Sequence, residues 1–105
     1  MLIEFDKDYL RELYTDGKAR DKKHRYQPEV IRGYQKVVFT LSSANTITDL
    51  FCNNALNYEV LQGDKKGISS VRINRRYRLE FTVREVLKEQ IVSGCRLLDI
   101  SNHYK

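Results

Sequence analysis

Cysteine and histidine are scarce, with two of each in 105 residues. Cys52 and Cys95 lack C-x-x-C spacing, and His24 and His103 are the only histidines, so a structural zinc site is poorly supplied. Two reduced thiols are expected, with no metal and no cofactor. No apolar run approaches the roughly 20 residues that a membrane-spanning helix needs. Glu4 and Asp6 interrupt any apolar stretch of a secretory signal, which makes the cytoplasm the expected compartment. There is no internal repeat, linker or low-complexity segment. What remains has the size and the composition of one globular domain, 41% hydrophobic and 31% charged.

The formal net charge is +5, which favours an anionic partner without naming it. Its distribution is more telling. Residues 1–16 hold five acids and two bases, whereas Lys18–Lys36 holds seven bases and two acids. A second basic block, Lys65–Arg84, sets seven bases (Lys65, Lys66, Arg72, Arg75, Arg76, Arg78, Arg84) against Glu80 alone.

Periodicity divides the chain. Met1–Phe5 alternates weakly, as a short edge strand does. Asp6 is placed to cap a helix carrying Tyr9, Leu10, Leu13 and Tyr14, which Asp16-Gly17 ends. Lys18–Gln27 reads as a basic loop. Pro28 suits the first turn of a second helix, whose stripe is Val30, Ile31, Tyr34, Val37, Val38 and Leu41. Ile47–Phe51 reads as a further short helical turn. From Tyr58 the period changes to two: a short strand at Tyr58–Leu61, turn residues at Gly63-Asp64 and Lys66-Gly67, and two alternating runs after them. Val86–Gln90 is a charged connection. Ile91–Ile100, apolar on both faces, suits a central strand. The sum is an α+β domain, two helices packed on an antiparallel β-sheet of about four strands.

Parity constrains the hairpin. Val71 and Ile73 must share a face with Leu79 and Phe81. Pairing Ile73 with Leu79 does this and leaves a loop of Arg75-Arg76-Tyr77. Arg72, Arg78 and Glu80 then share the face away from the core. On an ordinary sheet these arginines would only solubilise that face; arginines fixed on a sheet are also what a phosphate backbone needs.

The residues Leu61-Gln62-Gly63-Asp64-Lys65-Lys66-Gly67, Ser70-Val71-Arg72-Ile73-Asn74 and Tyr77-Arg78-Leu79-Glu80-Phe81 follow a pattern close to L-x-G-D-R-x-G-x-x-S-x-R-I-N-x-x-[YW]-R-x-x-F. In this the chain resembles the RelE/ParE toxin superfamily, and within it the HigB-type (host-inhibition) toxins of type II toxin–antitoxin systems. The resemblance implies a RelE-like fold and ribosome-dependent cleavage of messenger RNA without a metal. In that reaction a 2′-hydroxyl attacks the adjacent phosphate and the 5′-oxygen leaves. It also implies a cognate helix-turn-helix antitoxin as partner, beside mRNA on the ribosome.

On that model Arg72 and Arg78 hold the phosphate and offset its developing charge, and His103 moves protons. Lys65 and Lys66 assist at the phosphate, Arg75 and Arg76 add general RNA attraction, and Lys23 and Arg25, in the Lys22-Lys23-His24-Arg25 run, face ribosomal RNA or an acidic antitoxin. Where the family closes with acid-Tyr-His, this chain has Ser101-Asn102-His103. Tyr104 and Asp99 are the candidate substitutes for the tyrosine and the acid. The missing pair also leaves open a non-enzymatic relative that binds a protein target, as gyrase-poisoning members do, or only its antitoxin.

Overall fold

The computed structural model describes residues 1–86 and 91–102. Helices form where apolar residues recur with a period near 3.6. Helix α1 (Asp8–Thr15) buries Tyr9, Leu10 and Leu13. Helix α2 (Pro28–Ser43) carries Pro28 in its first turn, where the missing N–H is no loss, and buries Val30, Tyr34, Val37, Val38 and Leu41. The fully buried Tyr34 donates its hydroxyl to the Leu10 carbonyl at 2.7 Å. That bond satisfies a polar group inside the core and locks the two helices together. Asp16 closes α1, and Gly17 follows at φ +76°, a conformation glycine adopts without strain. Asp6 does not cap α1. The N-cap is Lys7, and the Asp6 carboxylate instead accepts from Arg96 Nε at 2.9 Å. Helix α3 (Ile47–Cys52) starts at a reciprocal capping box between Thr46 and Asp49, and a single 3-10 turn follows at Asn54–Leu56.

The strands are β1 (Leu2–Phe5), β2 (Glu59–Val60), β3 (Ser69–Arg72), β4 (Tyr77–Val86) and β5 (Ile91–Asn102), in the sheet order β1-β5-β4-β3-β2. The α+β class stands. The sheet, however, has five strands, and β1 runs parallel to β5 while the other pairs are antiparallel. Strand β5 is interior, as its two-sided hydrophobicity implied. Of the charged connection at Val86–Gln90, residues 87–90 lie outside the described residues. Leu79, Phe81 and Leu97 are fully buried against the helices, with Cys95 beside them, 1% exposed. Both cysteines are free, and burial pushes the Cys95 thiol up to about 12.

The hairpin register differs from the expected one. Val71 pairs with Leu79 and Arg72 with Arg78, two residues away from the Ile73–Leu79 pairing. The parity is unchanged, because a two-residue shift keeps every side chain on its face. The turn is longer because Asn74 closes it. Its Oδ1 accepts from the backbone N–H of both Arg76 and Tyr77 at 2.9 Å, and Ile73 N–H reaches the Tyr77 carbonyl at 3.0 Å.

Candidate functional site: a buried arginine on the open face of the sheet

Strand β4 turns Leu79 and Phe81 toward the helices and Arg78 and Glu80 the other way. That second face is not simply solvent. Arg78 is 6% and Glu80 8% exposed. The reason is the same alternation in a neighbouring segment. Tyr58 turns to the core side, its hydroxyl 2.9 Å from Ser69 Oγ and its ring 6.3 Å from that of Phe81. Asn57 and Glu59, on either side of it, therefore meet Arg78.

The guanidinium is held from several directions. Nε donates to Ser70 Oγ at 2.6 Å, and Nη2 donates to the Asn57 carbonyl at 2.7 Å and the Ser70 carbonyl at 3.1 Å. Glu59 Oε1 lies 3.2 Å from Nη2. The Asn57 carbonyl reaches this position because Asn57 adopts the left-handed conformation, φ +46°, which asparagine tolerates better than most residues. Burial lowers the Arg78 pKa from its ordinary value; Glu59 opposes the shift and Arg72 adds to it. Arginine remains a cation through such a shift. The result is a fixed, buried positive charge beside a half-exposed carboxylate. Sequence reasoning missed Glu59, because it lies on the short edge strand well before the basic hairpin. Its only legible signal was its place one residue beyond Tyr58 in an alternating segment.

Glu80, two residues along the same face, binds Lys65 with both carboxylate oxygens, at 2.8 and 3.1 Å. Lys65 occupies the arginine position of the G-D-R pattern, on a 3-10 turn at Gly63–Lys65. Lys65, and not Lys66, is thereby turned over the sheet. The two partners differ in exposure, 52% for the Lys65 side chain and 11% for that of Glu80. An asymmetric result is expected in urea unfolding. Lys65→Met strands a buried carboxylate and costs about 1–3 kcal/mol, whereas Glu80→Gln leaves a lysine that water can solvate and costs less.

The remaining candidates fall into four groups. Arg72, opposite Arg78, is exposed, as are Lys66, Arg75 and Arg76; among the described residues none of the four forms an ion pair with a carboxylate. Lys23 and Arg25 are exposed on the loop before α2, at some remove in sequence from the sheet. Asp99 turns to the helical side, where it accepts from the Tyr9 hydroxyl and lies 3.4 Å from Lys7 Nζ. The Tyr9 hydroxyl also accepts from Ile100 N–H at 2.9 Å, beside a register shift between β4 and β5. Asp99 is thus engaged with α1 and the residue before it. His103 and Tyr104 lie outside the described residues. Among the described residues, no group of three or more His, Cys, Asp or Glu side chains is placed to hold a metal ion.

Arg84 is neutralised from elsewhere. Glu4 lies 3.8 Å from Arg84 and 3.1 Å from Arg96, and Asp6 lies 2.9 Å from Arg96. The acidic N-terminal segment thus balances one end of the open face and leaves its basic character at the hairpin end. No helix is long and apolar enough to cross a membrane, among the residues described.

Several similarities agree with this geometry. The family model described as RelE-like toxin of type II toxin–antitoxin system HigB matches residues 3–93. Toxin HigB-1 of Vibrio cholerae serotype O1 is 35% identical over 83 residues, covering 77% of this chain and 82% of the relative. Among solved structures, a YoeB/ParE toxin from Agrobacterium tumefaciens superposes with a TM-score of 0.57 at 17% identity, over 99% of this chain and 100% of the other. The YoeB–YefM complex from Staphylococcus aureus gives a TM-score of 0.53 at 18% identity, over 99% of each chain. The structural matches establish the fold, and the sequence matches establish more: the chain belongs to the HigB-like family of RelE-like toxins of type II toxin–antitoxin systems.

Proposed function

We propose that this toxin is a ribosome-dependent endoribonuclease that cleaves messenger RNA by attack of a 2′-hydroxyl on the adjacent phosphate. The observation that carries the reading is Arg78, a guanidinium locked by Ser70 and Asn57 with a carboxylate 3.2 Å away. Charge developing on the phosphate oxygens is best met by a cation that does not reorganise during the reaction. Arg78 supplies it, Arg72 and Lys65 add to it, and Glu59 takes the 2′-hydroxyl proton as the RNA phosphate displaces it from Arg78. His103 protonates the leaving 5′-oxygen. The register of β5 supports this role, since Ser101, two residues before His103 in the chain, pairs directly with Arg78. Lys66, Arg75, Arg76, Lys23 and Arg25 draw the protein to RNA by charge. The work is done in the cytoplasm, and a cognate helix-turn-helix antitoxin restrains it.

Induced expression in bacteria followed by mapping of RNA 5′ ends tests the reading. Wild-type protein is expected to give cuts at fixed positions within codons. Glu59→Gln, a change at a half-exposed side chain that leaves the core intact, is expected to reduce them by about 10²-fold or more. Growth arrest with DNA damage and without such cuts would establish the protein-binding alternative, which the absence of the family's acid and tyrosine at Ser101-Asn102 favours.

A further inference from the structure

A second feature sits on the other side of the hairpin tip. The segment entering α2 and the turn before β4 enclose an open cleft of about 430 Å³, lined by Arg25, Tyr26, Glu29, Asn74, Arg76 and Tyr77 among others. Tyr26 and Tyr77 meet edge to face, with ring centroids 5.3 Å apart and planes at 85°. Both rings pack partly against the core, and the surface they keep borders the cleft. Burial pushes the Tyr26 hydroxyl up to about 12, and the nearby Asp99 adds to the rise. Arg25 and Arg76 are exposed and, among the described residues, form no ion pair with a carboxylate. Among the described residues Glu29 is the one acid on the lining, against two arginines. Asn74 commits its Oδ1 to the turn, which fixes the position of Arg76 relative to Tyr77.

We infer that this cleft binds one nucleotide of single-stranded RNA, the base against the Tyr26–Tyr77 pair and the phosphate on Arg25 and Arg76. Stacking on aromatic side chains combined with arginine at the backbone is the usual chemistry of single-strand recognition, and each base–aromatic contact contributes about 1–3 kcal/mol. The cleft has the volume of a small-molecule site. Tyr77 and Arg78 are consecutive on β4 and point to opposite faces. An RNA strand rounding the hairpin end can therefore place one nucleotide in the cleft and a neighbouring phosphate on Arg78. This makes the loop before α2 part of the RNA-holding surface, and it rests on the endonuclease reading only for which RNA is bound.

Titration of adenosine 5′-monophosphate into the ¹⁵N-labelled full chain tests it without requiring cleavage. The amides of Tyr26, Arg76 and Tyr77 are expected to shift together. The double substitution Arg25→Gln/Arg76→Gln, confined to exposed side chains, is expected to weaken the apparent affinity at least tenfold. No shift in the cleft, or an unchanged titration in the double variant, would overturn the inference. So would equal shifts from inorganic phosphate alone, or an acidic peptide that moves these amides where the nucleotide does not. On ribosomes the double variant is expected to cut mRNA about tenfold more slowly. If wild-type protein cuts nothing, the endonuclease reading fails while the titration still decides the cleft.

Discussion

Replacing Arg78 with alanine is expected to lower mRNA cleavage on the ribosome by about 10³-fold or more, the scale on which a preorganised cation stabilises a phosphoryl-transfer transition state. Single-turnover cleavage of a defined message by purified protein measures it. The loss has two physical parts. The charge itself disappears, and the groups that held it, the Ser70 hydroxyl and the Asn57 carbonyl, lose their donor. The second part appears as a fall in stability of about 1–2 kcal/mol, moderated because Glu59 is half-exposed and can turn to water. Arg78→Lys separates the two. A lysine keeps the charge but cannot donate to Ser70 and Asn57 from a rigid planar fork, so cleavage should still fall by more than tenfold while stability recovers in part. Cleavage by Arg78→Lys at the wild-type rate would show that point charge alone matters, and the locked geometry would then have no role in the reaction.

The largest expected effect on folding is at Phe81, directly behind this site. Its ring is fully buried, on the helix-facing side of the strand that carries Arg78 and Glu80. Phe81→Ala is expected to cost about 3–5 kcal/mol, because the cavity it leaves is walled by a sheet that cannot collapse freely. For a domain of this size that corresponds to a fall in Tm of about 15 °C or more, readable by thermal unfolding followed by circular dichroism. A fall of only a few degrees would mean that Tyr58, Phe51 and their neighbours refill the space, and that the aromatic cluster beside β3 is softer than its packing implies.

Local periodicity carried much of the fold. Pro28 and the stripe from Val30 to Leu41 defined α2, and the alternation around Val71 and Leu79 fixed which side of the hairpin meets the core. These were legible because helix and strand periods depend on near neighbours alone. The same parity placed Arg72, Arg78 and Glu80 on one face before any register was known. It survived a two-residue error in that register for the same reason. The hairpin's match to the toxin pattern was likewise a local property.

What the sequence could not carry were relations between distant segments. Glu59 and Arg78 are far apart along the chain, and nothing in either neighbourhood signals that β2 lies beside β3 and delivers a carboxylate to the arginine. Lys65 and Lys66 are indistinguishable in composition, and only the turn at Gly63–Lys65 turns one of them to Glu80. Asp99 was legible as a candidate for the family's tail acid, but its bond to the Tyr9 hydroxyl of α1 was not. The sequence by itself therefore determined the elements, their faces and the family. The tertiary structure decided which charges are paired, which are buried and which remain to meet RNA, because electrostatic partnership depends on distance and burial, and both are set by the packing of segments that the chain keeps far apart.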